Sequence, residues 1–336
     1  MYFYKNDNKK NNDLMNHLYG RSRKILEENS DCHIYEYGDS KNPSAIITRY
    51  RIFPGVKVLF NDIHLSSIER EYLETDMGDK CFEINHCREG RFECELKDGT
   101  ATYMKAGDFS ISLVNNSSAH SFFPIRHYHG LTIWIEPNQF EEDILFLEKI
   151  LDLNFNRVLE SLCSDNGLFI KRASKELEHI FYEIYRVPSE ILIPYLRVKI
   201  QELFIYMTLL KDYGEIENRQ YIPKSNVDIV RKINEFINSE FKNNYTYEEL
   251  SNKFSIKIST MKQCYKNVYG ESINDTLRKK KLEESCKLLR STDKLITDIA
   301  VEIGYSDHSK FSNAFKKMYN ITPSEYRKIT DMAHIV

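Results

Sequence analysis

The pattern of hydrophobic and polar positions divides this chain into three successive kinds of segment. Between Ala45 and Glu136 apolar residues alternate with polar ones, which predicts short β-strands. Between Pro137 and Tyr213 apolar residues recur every three or four positions, which predicts amphipathic helices. After a polar stretch the helical spacing returns and continues to the C-terminus. Strands first and helices afterwards predict an α+β fold class, and 336 residues exceed one ordinary domain.

Short strands are predicted in this segment, separated by turn sequences such as DMGD, REG, KDGT and KAGD, and six examples stand out. They are AIITRYRI (Ala45–Ile52), VKVLFNDIHL (Val56–Leu65), KCFEINHC (Lys80–Cys87), RFECEL (Arg91–Leu96), DFSISLV (Asp108–Val114) and GLTIWIE (Gly130–Glu136). Many short strands without helices between them indicate a sandwich or a barrel. Residues 1–44 are polar, so we predict a mostly irregular segment with one helix near Leu14–Glu28.

The helical stretch after the strands ends in a strongly apolar helix, predicted over Ile191–Leu210. An apolar stripe on such a helix either joins two copies of the chain or packs on the chain's own sheet. We predict a homodimer, held through one face that carries Leu196, Ile200, Leu203 and Met207.

The C-terminal part contains an internal repeat. The first copy is LSNKFSIKISTMKQCYKNVYG (Leu250–Gly270), and the second is IAVEIGYSDHSKFSNAFKKMYN (Ile299–Asn320). Leu250 aligns with Ile299 at an offset of 49 residues, and Tyr265 aligns with Phe315 at an offset of 50. Such self-similarity indicates one structural unit used twice.

Each copy has the pattern of a helix-turn-helix. A small residue, Ser251 or Ala300, lies where a second helix must cross closely. In the second copy Gly304 favours a left-handed turn, and Asp307 is predicted to cap the helix that follows. Thr246-Tyr247-Glu248-Glu249 predicts a capping box at the start of the first copy. A helix from about Ser272 to Ser291 is predicted to join the copies.

The second helix of each copy is predicted to bury one face and expose the other. The buried anchors are Met261, Tyr265, Phe311 and Phe315. One such copy alone fits an ordinary helical bundle. Two copies in tandem, both exposing short polar side chains, favour a DNA-binding module.

The segment Ile296–Lys328 closely resembles the signature of the AraC/XylS family of transcription regulators. The matching residues are Ile299-Ala300, Gly304-Tyr305-Ser306-Asp307, Ser309-Lys310-Phe311, Phe315-Lys316 and Thr322-Pro323-Ser324-Glu325-Tyr326-Arg327. The resemblance covers about Val227–Lys328. It implies seven helices, with two recognition helices that enter successive major-groove segments of double-stranded DNA. It also implies RNA polymerase as a partner, and activation more often than repression.

A few positions depart from the family pattern. Tyr305 stands where Phe is usual, and Asn320 stands where Gly is usual, although Asn tolerates a left-handed conformation. Lys257 replaces the Ser that caps the first recognition helix, and Lys281 and Ser285 replace Arg and Ala in the joining helix.

The resemblance assigns the exposed faces of the recognition helices to DNA. Base contacts are expected from Ser259, Lys262, Gln263, His308, Ser309, Ser312 and Asn313. Asn can bond both N6 and N7 of an adenine. Contacts to phosphate, which position a protein without reading sequence, are expected from Lys266, Lys316 and Lys317.

Strands followed by helices also resemble the usual N-terminal plan of the family. That plan is a cupin-like β-barrel that binds an effector, followed by helices that pair two protomers. The sequence does not identify the small-molecule effector. The candidate effector-binding residues are Arg88, His127, His129 and Trp134, although Trp134 could equally pack beneath a helix.

His127 and His129 also suggest a metal site, with His86 and His120 as further ligands, because residues two apart face the same side of a strand. Metal-binding cupins follow such a pair with a Glu, whereas Glu136 lies seven residues beyond His129. We therefore predict no metal, no other cofactor and no catalytic residue. Two alternatives stay open for the N-terminal half: a metal-dependent cupin enzyme, or an empty, constitutive barrel.

Charge supports the DNA-binding assignment once the chain is divided. The net charge of the whole chain is −3, which by itself says little about DNA. Residues Lys224–Val336 carry 20 Lys and Arg against 15 Asp and Glu, a net charge of +5, which leaves −8 for the rest. A basic module joined to an acidic one is typical of nucleic-acid-binding proteins.

The seven cysteines are scattered without a C-x-x-C pair, which predicts free thiols and neither a disulfide framework nor a zinc site. Cys81, Cys87 and Cys94 cluster in sequence, which fits buried small side chains or, alternatively, a redox or metal role. The chain contains no run of about 18 apolar residues, and its first residues lack the apolar core of a signal peptide. We therefore predict a cytoplasmic protein without a membrane partner.

Together these patterns predict five regions and an effector-responsive transcription regulator that is not an enzyme. The regions are 1–44, an N-terminal segment; 45–136, a cupin-like effector-binding β-domain; 137–213, a helical dimerisation region; 214–226, a linker; and 227–330, an AraC-type double helix-turn-helix domain.

Overall fold

The computed structural model describes residues 23–28, 31–39, 42–69, 81–96, 99–114, 117–163, 168–211 and 221–333. The chain forms two compact units, Met1–Ile222 and Pro223–Val336. The first unit combines strands and helices, whereas the second is helical in its described residues.

The described residues contain twelve strands. They are β1 (Arg23–Glu28), β2 (Cys32–Asp39), β3 (Asn42–Phe53), β4 (Val56–Ile63), β5 (Ser67–Glu69), β6 (Phe82–Leu96), β7 (Thr100–Lys105), β8 (Asp108–Leu113), β9 (Ser117–Phe122), β10 (Tyr128–Ile135), β11 (Leu168–Arg172) and β12 (Ile222–Pro223). Strands β1, β2, β3, β4, β10 and β6 are hydrogen-bonded neighbours in that order, and each of these pairs is antiparallel. The long strand β6 also pairs with β7, β8 and β9.

Both faces of the sheet are buried at β10. Leu131, Ile133 and Ile135 pack in a core that includes the helices of the first unit. On the opposite face, Tyr128 and Trp134 pack in a second core with residues of other strands. Alternation along the strand sends successive side chains to these two different cores.

The described residues of the first unit also form four α-helices: α1 (Glu142–Leu151), α2 (Phe155–Leu162), α3 (Lys175–Ile184) and α4 (Leu192–Thr208). Helix α4 turns one apolar face inward, where Leu196, Ile200, Leu203 and Met207 are at most 1% exposed. These side chains belong to the same core as the β10 residues Leu131 and Ile133. The prediction that they form a dimer interface is therefore wrong, because their surface is already covered by the chain itself.

The sequence pattern also missed several strands. The described residues of the 1–44 segment are not irregular, since they form β1, β2 and the start of β3, and Tyr35 and Tyr37 of β2 are buried. Residues Arg23–Glu28, predicted as the end of a helix, are strand β1. The part of the predicted helix before Arg23 lies outside the described residues. Charged residues interrupt the apolar alternation here, so the strand periodicity was weak.

Two further boundaries differ from the predictions. The predicted strands Lys80–Cys87 and Arg91–Leu96 are one strand, β6, which runs through Gly90 with a bulge opposite β10. Within the predicted helical region lies β11, which pairs with β8, so residues 137–213 and the strands share one fold.

All seven cysteines lie in the described part of the chain and are free thiols, as predicted. Cys81, Cys87 and Cys94 pack among apolar side chains. Burial raises the pKa of Cys87 to about 12. A thiol that stays protonated near neutral pH is a weak nucleophile and metal ligand, which favours the structural interpretation of these cysteines.

The second unit consists, within residues 221–333, of seven helices, the number that the family resemblance implies. They are α5 (Lys224–Ser239), α6 (Tyr247–Phe254), α7 (Ile258–Tyr269), α8 (Ile273–Ser291), α9 (Ile296–Glu302), α10 (His308–Tyr319) and α11 (Pro323–Ala333). Because α5 begins at Lys224, residues 224–226 are helical and the predicted linker 214–226 is too long at that end. Among the described helices, none is both long and apolar enough to cross a membrane.

Candidate DNA-binding surface

The first helix-turn-helix is formed by α6 and α7. Thr246 and Glu249 make the predicted capping box at the start of α6. Ser251, the small residue of this copy, donates a hydrogen bond of 2.7 Å to the carbonyl of Ile256 and so ties α6 to the turn. Lys257 at the start of α7 makes no side-chain capping bond, as its departure from the family pattern suggests.

Ser255 ends α6 in a left-handed conformation with φ of 51°. It occupies the position that aligns with Gly304 in the second copy. A non-glycine residue in that conformation is strained by roughly 1–2 kcal/mol. The two turns thus have the same backbone shape, although only the second uses glycine.

The second helix-turn-helix is formed by α9 and α10 around Gly304, whose φ is 81°. A Cβ added to this glycine would lie 1.8 Å from the carbonyl oxygen of Lys242. The residue is therefore required both by its conformation and by the close backbone approach. Asp307 caps α10, as predicted, by accepting bonds from the N–H groups of Ser309 and Lys310. These bonds hold the pKa of Asp307 below its usual value, which keeps the cap ionised.

The predicted anchors of both recognition helices are fully buried: Met261, Tyr265, Phe311 and Phe315. The Tyr265 hydroxyl donates a 2.7 Å hydrogen bond to Oδ1 of Asn234 in α5. The ring of Phe315 lies 5.5 Å from that of Tyr326 in α11. These contacts fix the rotation of α7 and α10 about their axes, so the opposite faces point outward.

The outward faces carry the side chains that the sequence assigned to DNA. Nine of the ten are exposed: Ser259, Lys262, Gln263, Lys266, His308, Ser309, Asn313, Lys316 and Lys317. Ser312 is half-buried, and its Oγ lies 3.3 Å from Nε2 of His308. Nζ of Lys262 lies 4.0 Å from the centre of the Tyr247 ring, a cation–π contact that orients it.

Asn313 lies at a groove of about 520 Å³ between α8 and α10. Arg278 and Lys279 of α8 line this groove together with Lys317. The sequence interpretation gave α8 only a joining role and did not assign these two cations to DNA. The available signal was the run of four cations at positions 278–281.

An acidic residue shares that groove. Asp275 forms an ion pair of 3.2 Å with Arg278. A hydrogen bond from Ser272, supported by Arg278 and Lys317, lowers the pKa of Asp275. In the protein without DNA, Asp275 therefore attracts Arg278 and Lys317, two cations that could otherwise contact a DNA phosphate.

Lys281, one of the departures from the family pattern, is a structural residue. Its side chain is buried, and Nζ donates to Oδ1 of Asn244 at 2.7 Å and to the carbonyl of Gly304 at 3.1 Å. Burial lowers its pKa. The amine thus joins α8, the loop before α6 and the turn of the second helix-turn-helix.

The four candidate effector residues of the first unit do not form one site. Trp134 is 1% exposed and packs in the core on the opposite face of β10 from His129. His127 and His129 lie together at the start of β10, with ring centres 4.8 Å apart. Arg88 lies in a separate pocket. The prediction that Trp134 binds the effector with the other three residues is therefore wrong, because strand alternation directs its side chain to the other face of β10.

The pocket that contains Arg88 has a volume of about 410 Å³ and is formed by β6 and α3 with neighbouring loops. Among its described lining residues, three are cationic, Arg88, Arg172 and Arg186, and one is a carboxylate, Glu178. Outside the lining, Glu89 lies 3.8 Å from Arg88 and Asp108 lies 3.8 Å from Arg172. His86 forms one wall, stacked 4.0 Å from the Phe181 ring, with Nδ1 3.1 Å from the Tyr185 hydroxyl. His86, predicted as a further metal ligand, therefore packs in the wall of this pocket. The side chain of His120, the other predicted ligand, lies outside the described residues.

Comparison with known protein families finds a helix-turn-helix domain in the second unit. A family model described as a helix-turn-helix domain matches residues 250–329. The HTH-type transcriptional activator RhaR of Mannheimia succiniciproducens is 27% identical over 169 residues, which are 50% of this chain and 54% of that protein. The HTH-type transcriptional activator RhaS of the same organism is 32% identical over 97 residues, which are 29% of this chain and 36% of that protein.

Among solved structures, the C-terminal domain of AraT, a response regulator from Geobacillus stearothermophilus, is 30% identical. The match covers 30% of this chain and 84% of that chain, with a TM-score of 0.29. The chain spans about half or less of the curated relatives it matches, 54% of the length of RhaR and 36% of the length of RhaS.

Proposed function

We propose that this chain, whose C-terminal unit is an AraC/XylS-type double helix-turn-helix domain, is a sequence-specific transcription regulator. One observation carries the proposal: two successive helix-turn-helix units bury their aromatic anchors and expose the polar and cationic faces of α7 and α10. RhaR and RhaS are named as activators. We propose that this chain is likewise an activator of transcription, with RNA polymerase as its protein partner.

The exposed residues divide into two roles. Asn313 and Gln263 are suited to reading base edges, because a side-chain amide offers a donor and an acceptor together. Lys266 and Lys316 are point charges near the helix ends, suited to phosphate. Arg278 and Lys279 extend the cationic surface along α8 beside Asn313.

Asn313→Ala is expected to relax the preference at one base pair by roughly 1–3 kcal/mol and to change binding to scrambled DNA little. Lys316→Ala is expected to weaken binding to both DNAs about equally and to lower the salt slope by roughly one. The operator would first be selected from a random DNA library with the full-length chain. Affinities would then be measured on operator and scrambled DNA at several salt concentrations.

Lys287→Ala is the matched control for charge, since Lys287 is exposed on α8 and paired with Glu284 at 2.8 Å. It should leave both affinities nearly unchanged. An Asn313→Ala variant that keeps the wild-type ratio of the two affinities would refute direct readout by Asn313. A Lys316→Ala variant that changes only operator binding would refute its assignment to phosphate.

We further propose that the first unit is a cupin-like barrel that senses a small anion. The observation behind the ligand class is the excess of guanidinium groups over carboxylates in the Arg88 pocket. Guanidinium groups recognise carboxylates and phosphates through paired hydrogen bonds. Because α3 contributes part of the lining, a bound anion would tie that helix to β6.

Arg88→Gln is expected to abolish the thermal stabilisation that a pocket anion gives. A panel of small carboxylates and phosphorylated sugars would be screened against the full-length protein. A ligand at about 100 times its Kd stabilises the folded state by about 2.7 kcal/mol, which corresponds to a rise of several degrees in the melting midpoint. Arg157→Gln, at an exposed position in α2, is the control and should keep the rise. An equal rise in Arg88→Gln would show that the anion binds elsewhere.

We also propose that the chain acts as a homodimer through the outer face of α4. Four apolar side chains on that face, or at its ends, are at least 42% exposed: Ile191, Val198, Ile205 and Leu209. Ile191, Val198 and Ile205 follow each other at intervals of seven residues, the repeat with which two helices pack against each other. A second copy of the same helix is the partner that such a repeat fits.

A further inference from the structure

Three histidines and two carboxylates gather at one end of strands β4, β6 and β10. The histidines are His64, His127 and His129, whose candidate ligand nitrogens all lie within 4.8 Å of one another. The carboxylates are Asp62 and Glu89. Neither strand pattern nor motif spacing brings His64 together with the other two, because the cluster depends on the pairing of distant strands.

The register of the sheet builds this cluster. His129 in β10 lies directly opposite Asp62 in β4 and directly opposite Glu89 in β6. Residues paired in this way share a face of the sheet, as do residues two apart on one strand. His64 directly follows β4 and His127 directly precedes β10, each two residues from a member of these pairs. Their ring centres are 5.5 Å apart.

The backbone at this point is closely fixed. A Cβ on Gly90 would lie 1.9 Å from the carbonyl oxygen of His127, so β6 passes the His127 backbone at a distance that only glycine permits. The N–H of Arg91 donates to the same carbonyl at 3.3 Å. The backbone of His127 is thus held in place, while its partly exposed imidazole has room to turn.

One carboxylate oxygen stands between two of the rings. Oδ1 of Asp62 lies 2.8 Å from Nε2 of His64 and 2.7 Å from Nε2 of His129. Despite that proximity, Nε2 of His129 is buried and makes no hydrogen bond of good geometry to any described residue. A buried imidazole nitrogen without a directed partner is poorly satisfied as an ordinary polar contact. It is well placed to give its lone pair to a metal ion.

Glu89 lies behind the rings. Its Oε2 is 3.5 Å from Nε2 of His127 and 3.9 Å from Nδ1 of His129. A carboxylate that accepts from the second nitrogen of a ligating imidazole fixes the ring and its tautomer, the usual outer partner of a metal-bound histidine. The 3.9 Å distance to His129 exceeds that of a hydrogen bond, so Glu89 would become the outer partner of His129 as the rings close around an ion, while Asp62 acts as a ligand.

We propose that His64, His127, His129 and Asp62 bind a divalent first-row transition-metal ion of the zinc type. Three imidazoles and one carboxylate are donors that such ions prefer, whereas calcium and magnesium prefer oxygen alone. Ligand nitrogens lie about 2.0–2.1 Å from zinc, so the rings must close together from their present separation. The side chains of His64, His127 and His129 are 50%, 39% and 33% exposed, which leaves room for that rotation and for exchange of the ion with solvent.

The position of this cluster separates it from the site expected of a metal-binding cupin. His129 shares its face of β10 with Leu131 and Ile133, which pack towards the helices, and not with Trp134. The proposal also does not depend on the DNA-binding function, since all four ligands lie in the first unit. Its test can therefore measure metal binding without measuring DNA binding.

The metal-free full-length protein would be titrated with Zn²⁺ against a colorimetric chelator, and separately with Co²⁺ by visible absorption. One equivalent of Zn²⁺ is expected, together with intense Co²⁺ absorption of low-coordinate geometry. His64→Ala and His129→Ala should each weaken Zn²⁺ binding by at least about 100-fold, and Glu89→Gln by about 10-fold, as for an outer partner. All three side chains are partly exposed, and circular dichroism without metal would verify that the variants fold.

His179→Ala is the control for a surface histidine outside the cluster, because His179 is 66% exposed on α3, where it pairs with Glu183, and its loss should not affect binding. Absence of Zn²⁺ binding in the wild-type protein would overturn the proposal. So would equal binding by the wild-type, His64→Ala and His129→Ala proteins, the result expected if cysteine thiols held the ion. Binding that is lost in both ligand variants but kept in His179→Ala would establish the site.

Discussion

A Gly304→Ala variant is expected to lose operator binding, because the second helix-turn-helix can no longer close. The added Cβ would lie 1.8 Å from the carbonyl oxygen of Lys242 and 2.9 Å from Nζ of Lys281. The left-handed φ of 81° adds roughly 1–2 kcal/mol of strain for alanine. Moving the Lys242 backbone would also break the bonds of the buried Lys281 amine. We expect a total loss of about 3–5 kcal/mol in the free energy of unfolding, a large part of a domain's stability.

Urea unfolding followed by circular dichroism, together with operator binding, would measure this effect. Gly270→Ala is the matched control, since Gly270 has the same φ of 81° at the end of α7 but is exposed. Its loss should be limited to the conformational strain, roughly 1–2 kcal/mol. Equal losses in the two variants would mean that the contact with Lys242 contributes nothing.

The helix-turn-helix units illustrate what local sequence can predict. The cap at Asp307, the box at Thr246–Glu249 and the turn at Gly304 depend on neighbours within a few residues, and the structure confirms all three. The left-handed Ser255 was not predicted, because serine carries no signal for that conformation. Only alignment with Gly304 across the repeat could have identified it.

The first unit illustrates where local sequence is insufficient. Asp62 and His64 are separated from His127 and His129 by more than sixty residues, and the register of β4 with β10 alone brings them together. The same holds for Arg88 and Arg186, which meet in one pocket because α3 packs beside β6. A periodic pattern gives the face of a strand but not its partner.

Helix α4 presents a different difficulty, because it has two apolar stripes. Leu196, Leu203 and Met207 form one, and Val198 and Ile205 form part of the other. Hydrophobicity alone does not show which stripe faces the core. The stripe predicted to join two protomers is the one that the chain's own sheet covers.

Leu203→Glu is accordingly expected to unfold the first unit and not to yield a folded monomer. Leu203 is 1% exposed in the core shared by the sheet and α4. Removing a buried leucine side chain costs roughly 2–5 kcal/mol, and placing an unpaired carboxylate there adds a desolvation penalty. The sum approaches the whole stability of an ordinary domain, about 5–15 kcal/mol. Loss of the cooperative thermal transition of this unit would be the readout.

Val198→Glu, five residues away on the same helix, is expected to act in the opposite way. Val198 is 60% exposed, so glutamate there stays in water in the monomer, and the melting midpoint of the monomer should hardly change. In a dimer joined through this face, two glutamates would meet across the interface, and sedimentation at several concentrations should detect dissociation. Leu145→Glu, at an exposed apolar position of α1, is the control and should leave the dimer intact. A dimer unchanged by Val198→Glu would place the interface elsewhere, and a folded Leu203→Glu monomer would restore the buried stripe as the contact between protomers.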